Sequence, residues 1–218
     1  MNNLLAVPML LCLLGAAATF LAGRQPRLQR AISVSAVAAV VIVAGVLVWA
    51  SDTAPVTLWV GAWPRPLGIV LVADRLASVM LLVAALVSLA VLVYSTGQDE
   101  DELVRETPVS IFHPTFLLLV AGVSNAFLAG DLFNLFVSFE LLLFASYVLL
   151  TMGGTRDRIR AGSVYVVVNL VSSALFLVAL ASVYAATATV NLTQLAVRLQ
   201  ELPPEVRGVL QVLLLSVF

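Results

Sequence analysis

The chain predicts an all-α polytopic membrane protein with six transmembrane helices and the start of a seventh. Three observations carry this. Of 218 residues, 62% are hydrophobic and only 11% are charged, against about 25% charged in an ordinary soluble domain. The apolar residues fall into runs of roughly 20, the length that crosses a bilayer as a helix. Short Arg-bearing or Pro-rich segments separate these runs. Residues 1–218 therefore read as one membrane module.

The first span runs over 4–22, with Pro8 in its opening turns. It is too long for a cleaved signal peptide, and no basic segment precedes it. The second covers 31–50. The third extends from Leu76 to Tyr94 within a segment 74–95. The fourth covers 109–129, the fifth 132–152 and the sixth 161–185. A seventh helix begins near Glu205 and reaches 218, where the apolar run Leu-Leu-Leu-Ser-Val-Phe stops uncapped. This pattern is expected of a truncated chain whose seventh helix continues. Between the second and third spans, 53–70 carries Pro55, Trp59, Trp63, Pro64 and Pro66 and reads as an extended or hairpin-like loop. Between the sixth and seventh, 191–201 places Leu192, Leu195, Ala196 and Leu199 at helical spacing, predicting a short amphipathic helix at the interface. Asn191 with Gln194 resembles a capping box at its start, and Pro203-Pro204 stops it.

Arg placement predicts orientation. Arg24, Arg27 and Arg30 follow the first span; Arg156, Arg158 and Arg160 follow the fifth. Four crossings separate the two groups, so both face one side, which the positive-inside rule makes cytoplasmic. The N-terminus is then outside. Trp49, Trp59 and Trp63 fall at the outer boundary, where aromatic belts lie. The run Asp99-Glu100-Asp101-Glu102 falls inside and reads as a solvated loop.

All eleven basic residues are Arg, which does not release its proton in proteins. Among basic side chains only His113 is left as a reversible proton carrier. The net charge of −1 gives no indication of nucleic-acid binding. A single cysteine, Cys12, excludes an intramolecular disulfide or a Cys-ligated cluster within this chain; in an apolar run it reads as packing. Phosphate-loop, dinucleotide and nucleophile-elbow motifs do not occur, and neither a cofactor nor a metal is expected.

Glu140 is the residue that demands a chemical explanation. It is the one charged residue in the stretch Leu132–Met152, and a charge at bilayer depth costs about 2.5–3.5 kcal/mol on insertion scales. Such a residue reads first as part of an ion or proton path; the alternative is a protonated Glu retained for helix packing. Phe133, Phe136, Val137, Leu143, Phe144 and Tyr147 share its helix face, and Tyr147 is the polar member. Asp131 lies nine residues back, on nearly the opposite face, so the partner of Glu140 must come from another helix. Asp131 itself reads as an N-cap or as part of an entry or exit path. Asn169, Ser172 and Ser173 form a polar stripe on the sixth span, serving packing or lining a hydrated proton path. Ser124 and Asn125 offer similar groups. His113, ahead of Pro114, reads as an interfacial histidine or a cytoplasmic proton entry. Asp74-Arg75 reads as an interfacial charge pair.

The segment Gly130-Asp131-Leu132-Phe133-Asn134-Leu135-Phe136-Val137-Ser138-Phe139-Glu140, continued by Ala145-Ser146-Tyr147-Val148-Leu149-Leu150, resembles the fifth-helix signature of the D-type subunits of Mrp (Mnh) multisubunit cation/proton antiporters. Trp63-Pro64 with Leu67–Asp74 resembles that family's stretch before its third helix, and Asn169 with Val171–Phe176 its sixth. The resemblance covers the whole chain. It implies a larger antiporter-like bundle of inverted repeats, related to the membrane subunits of respiratory NADH:quinone oxidoreductase and membrane-bound hydrogenases. It further implies a multi-pass protein of the bacterial cell membrane that is a transporter subunit rather than an enzyme. Its partners would be the other membrane subunits of an Mrp-type complex, protons, and Na+ or another monovalent cation. On this resemblance Glu140 is the helix-5 Glu of the proton path. Its partner would be a Lys on the seventh membrane helix, just past a motif beginning around Val217. Two competing readings are a proton-pumping subunit of a quinone oxidoreductase or hydrogenase, and an assembly scaffold that moves no ion.

Overall fold

The computed structural model describes residues 2–23, 25–62, 68–96 and 109–217. Arg24, the stretch around Trp63, Pro64 and Pro66, and the acidic run from Asp99 lie outside the described residues.

A 3₁₀ turn, Asn2–Ala6, leads into α1, Val7–Leu21, with Pro8 in the first turn where its missing N–H costs nothing. Helix α2 runs over Pro26–Ala50 and likewise opens on a proline. Strands β1, Val56–Trp59, and β2, Val70–Ala73, pair antiparallel with Val56 opposite Ala73 and Trp59 opposite Val70, so the Pro-rich connector is a hairpin, as its composition predicts. Helix α3 covers Arg75–Thr96 and α4 Val109–Leu128. Helices α5, Leu132–Thr151, and α6, Arg156–Thr187, follow. The short α7, Leu192–Glu201, and α8, Pro204–Val217, complete the order. Among the described residues, six helices are long and apolar enough to cross a membrane.

Two spans exceed their sequence-based bounds. Helix α6 has 32 residues and starts at Arg156, so Arg156, Arg158 and Arg160 lie in its first turns rather than in a loop. The cause is local. Gly153 and Gly154 take positive φ and break the chain from α5. The Thr155 hydroxyl then accepts from the Arg158 N–H and caps the new helix. Helix α2 takes in Arg27 and Arg30 in the same way. The expected Asn191–Gln194 capping box forms in only one direction. Asn191 Oδ1 accepts from the Gln194 N–H at 3.2 Å, but the Gln194 side chain accepts from the Thr189 hydroxyl instead, and that hydroxyl also takes the Asn191 N–H. Arg75 pairs with Asp52 rather than with its neighbour Asp74. Asp74 instead caps α3, accepting from the Ala77 N–H at 2.7 Å.

Among the described residues the core has three parts, one of them Leu132, Val183, Leu195 and Leu210 where α6, α7 and α8 meet the start of α5. Cys12, Ala16, Val37, Val40, Leu92, Leu117 and Val120 interlock α1, α2, α3 and α4. Nearer the hairpin, Leu5, Leu47, Leu71, Leu81 and Leu128 seal the bundle end. At that end the backbone forms a cross-linked corner. Gly130 N–H donates to Val70 C=O at 2.8 Å, Leu132 N–H to Val190 C=O at 2.9 Å, and Leu192 N–H to Gly130 C=O at 3.1 Å. A Cβ on Gly130 would lie 2.8 Å from the Val70 oxygen, so only glycine lets the hairpin approach this closely. The corner sets where α5 begins, and hence the height of Glu140 in the bundle.

Candidate functional site

Helix α5 presents two polar faces. Toward α4, Asn125 Nδ2 donates to Asn134 Oδ1 at 3.0 Å and to Ser138 Oγ at 2.7 Å. Ser138 and Asn134 are buried, and Ser138 donates to the Asn134 carbonyl at 2.6 Å. This network ties the two helices together. Asp131 sits below it and serves α5 twice: Oδ1 accepts from the Asn134 N–H at 2.7 Å, and Oδ2 from the Val70 N–H at 3.3 Å. Asp131 is therefore an N-cap that also fastens the hairpin. It does not face Glu140.

The other face meets α6. Glu140 is half-buried, and its carboxylate accepts a hydrogen bond from the Ser173 hydroxyl. A groove of about 290 Å³ opens beside it between α5 and α6; its polar lining residues are Glu140, Tyr147, Tyr165, Asn169 and Ser173, with Leu143, Phe144 and Val148 among the apolar ones. Along the same two helices, Phe176 is edge-on to Phe136 with centroids 5.5 Å apart. In the other direction Gly162 meets α5 closely: a Cβ there would overlap Thr151 Cγ2 and lie 3.3 Å from Tyr147 Cε2. Between these contacts Ser146 Oγ and Tyr165 OH are hydrogen-bonded at 2.7 Å. The pairs Glu140–Ser173, Ser146–Tyr165 and Thr151–Gly162 show an antiparallel register. Among the described residues, the half-buried carboxylate thus has one hydrogen-bond donor, Ser173, and open space beside it.

Of the residues singled out in sequence, the fold brings Glu140, Tyr147, Asn169 and Ser173 to one groove. Ser172 is exposed on another face of α6. His113 is buried among the helices, 2% exposed, near the start of α4, and Ser33 Oγ lies 2.8 Å from its Nδ1. Its neighbourhood is the junction of α1 and α2, where Gln29 Nε2 donates to the Thr19 carbonyl at 2.8 Å. Sequence pattern alone does not single out Tyr165, Ser146, Asn134 and Ser138. A signal for Tyr165 exists, since it extends the Asn169–Ser173 stripe by one earlier turn. Asn134 and Ser138, at i and i+4 in an apolar run, signal a polar helix contact. Among the described residues, no three His, Cys, Asp or Glu side chains come together.

A family model described as NADH:quinone oxidoreductase/Mrp antiporter, transmembrane, matches residues 129–217, which contain the whole groove. The Na(+)/H(+) antiporter D subunit of Bacillus subtilis (strain 168) is 41% identical over 202 residues, 92% of this chain and 40% of the relative. The chain belongs to this antiporter family of membrane proteins. A protein from Rhizobium meliloti (strain 1021), named as the D subunit of a probable K(+)/H(+) antiporter, is 46% identical over 151 residues, 69% of this chain and 27% of the relative. The fold matches a chain of the archaeal membrane-bound sulfane sulfur reductase with TM-score 0.82 at 27% identity, covering 97% of this chain and 42% of that one. It matches a chain of the Mrp complex from Dietzia sp. DQ12-45-1b with TM-score 0.76 at 27% identity, covering 91% of this chain and 39% of that one. The chain thus spans about 40% of the length of the first relatives it matches. With six helices among the described residues long and apolar enough to cross a membrane, and with bacterial relatives, it is a multi-pass bacterial membrane protein.

Proposed function

We propose that this chain is part of a membrane subunit of a multisubunit monovalent cation/proton antiporter, and that Glu140 carries the proton. The observation that carries the reading is Glu140 itself: a lone carboxylate in a spanning helix, seated on Ser173 beside an open groove, within a segment similar to the D subunit of a Na(+)/H(+) antiporter. The proton moves along the groove, with Ser173, Asn169 and Tyr147 as its polar stations. A cation on the seventh membrane helix, a Lys by family resemblance, is the counter-charge whose approach and withdrawal loads and unloads Glu140. Other membrane subunits of the complex and the bilayer cover the exposed faces. The exchanged cation is Na+ or K+, since relatives are named for both.

Glu140→Gln in the complete complex, assayed as cation-driven proton movement in everted vesicles, is expected to lose more than about tenfold in activity, with the complex still assembled. Near-normal antiport in that variant overturns the assignment. A second reading, a proton-pumping subunit of a redox complex, draws on the TM-score of 0.82 to the sulfane sulfur reductase chain. Co-purification with iron–sulfur subunits favours it; co-purification with small Mrp-type membrane subunits rejects it.

A further inference from the structure

Asn169 is half-buried on α6, one helical turn before Ser173, and lines the groove that holds Glu140. Its Nδ2 is buried and has no hydrogen-bond partner among the described residues. A carboxamide nitrogen left so loses its hydration without replacement, and in native proteins such groups are almost always satisfied by protein or water. Packing alone would be met by a leucine here, since Leu143, Phe144 and Leu170 line the same groove. An Asn offsets its desolvation only if something in the groove accepts from it.

The acceptor at hand is Glu140. Its carboxylate has about four lone-pair sites, and Ser173 uses one oxygen. Asn169 stands four residues before Ser173 on α6, about 6 Å along the axis. A single water seated between the Asn169 amide and the Glu140 carboxylate would have two polar partners. The groove volume of about 290 Å³ leaves room for it. Resting on the reading of Glu140 as proton carrier, we infer that Asn169 is a positioning residue: its side-chain amide holds a water that donates to the Glu140 carboxylate, forming the second hydrogen bond beside that from Ser173.

Substituting Asn169 alters the hydrogen bonding of one ionisable carboxyl group in the groove, that of Glu140. The other titratable groups lining the groove are Tyr147 on α5 and Tyr165 on α6. On the opposite face of α5, α4 carries His113 near its start, engaged with Ser33. Helix α8, packed on the C-terminal half of α6, carries Glu205 and Arg207 in its first turn. The short α7, also packed on α6, carries Arg198 and Glu201. These groups and the counter-charge on the seventh membrane helix are the same in parent and variant.

The test is the pH dependence of antiport in everted vesicles holding the complete complex, for N169L, N169A, N169Q and E140Q. Expected are a displaced pH profile for N169L, a smaller displacement for N169A, where a further water can replace the amide, and a profile near the parent's for N169Q. Should N169L fail to assemble, N169A carries the comparison. An N169L or N169A rate that falls at every pH with its profile unmoved, or one unchanged throughout, while E140Q is inactive, overturns the role of Asn169 alone. An active E140Q overturns the reading of Glu140, and this inference with it.

Discussion

Glu140 shows how a single residue can be read at two levels. Its cost in lipid, about 2.5–3.5 kcal/mol, marks it from composition alone as a residue that needs a chemical explanation. Its hydrogen-bond partner was not legible. Helix geometry excluded Asp131, but only the antiparallel register of α5 against α6 selects Ser173 over Ser172, its neighbour in sequence. Ser173→Ala removes the one hydrogen bond the carboxylate accepts within the described residues. It is expected to lower antiport severalfold without silencing it, measured beside the Glu140→Gln vesicles; parental activity would remove Ser173 from the mechanism. Gly162 tests the close approach of α6 to α5. Gly162→Ala drives its Cβ into Thr151 and is expected to cost about 1–3 kcal/mol, seen as a lowered Tm of the detergent-purified complex. Adding Thr151→Ala is expected to return most of that loss, because the overlap is with Thr151 Cγ2.

Among the elements, span existence was legible throughout, because bilayer thickness sets a length that periodicity and hydropathy report directly. Boundaries were less so. Helix α6 extends through Arg156–Arg160 because Arg is a good helix former and Thr155 caps ahead of it. Hydropathy, which sees only charge there, ends the span at residue 161. The start of α5 depends on Asp131, whose side chain caps the helix and holds the hairpin at Val70. Asp131→Ala is expected to destabilise this corner by about 1–2 kcal/mol, while Asp131→Asn, itself a good cap, loses less than half as much. Thermal unfolding of the purified complex separates the two. Equal losses would mean that the charge, not the cap, matters at this position.

Across the bundle, orientation is the prediction that composition makes most sharply. In a Cys12→Ala background, Asp157→Cys is expected to react with a membrane-impermeant maleimide only from the cytoplasmic face, and Thr53→Cys only from outside. Both positions are exposed, so labelling in the opposite sense would reverse the topology. The number of spans, their alternation, the hairpin and the presence of a carboxylate at depth could all be read from the amino acids without coordinates. Those follow from local quantities: run length, Arg placement, proline and the desolvation cost of one charge. Which polar residues meet was left to tertiary packing. It placed Asn169 and Ser173 with Glu140 while sending Ser172 outward, buried His113 away from the groove with Ser33, and turned Asp131 toward Val70. These outcomes depend on helix register and rotation. In a bundle where nearly every face is apolar, register and rotation are chosen by packing at a few close contacts such as Gly130 and Gly162, not by hydrophobic pattern.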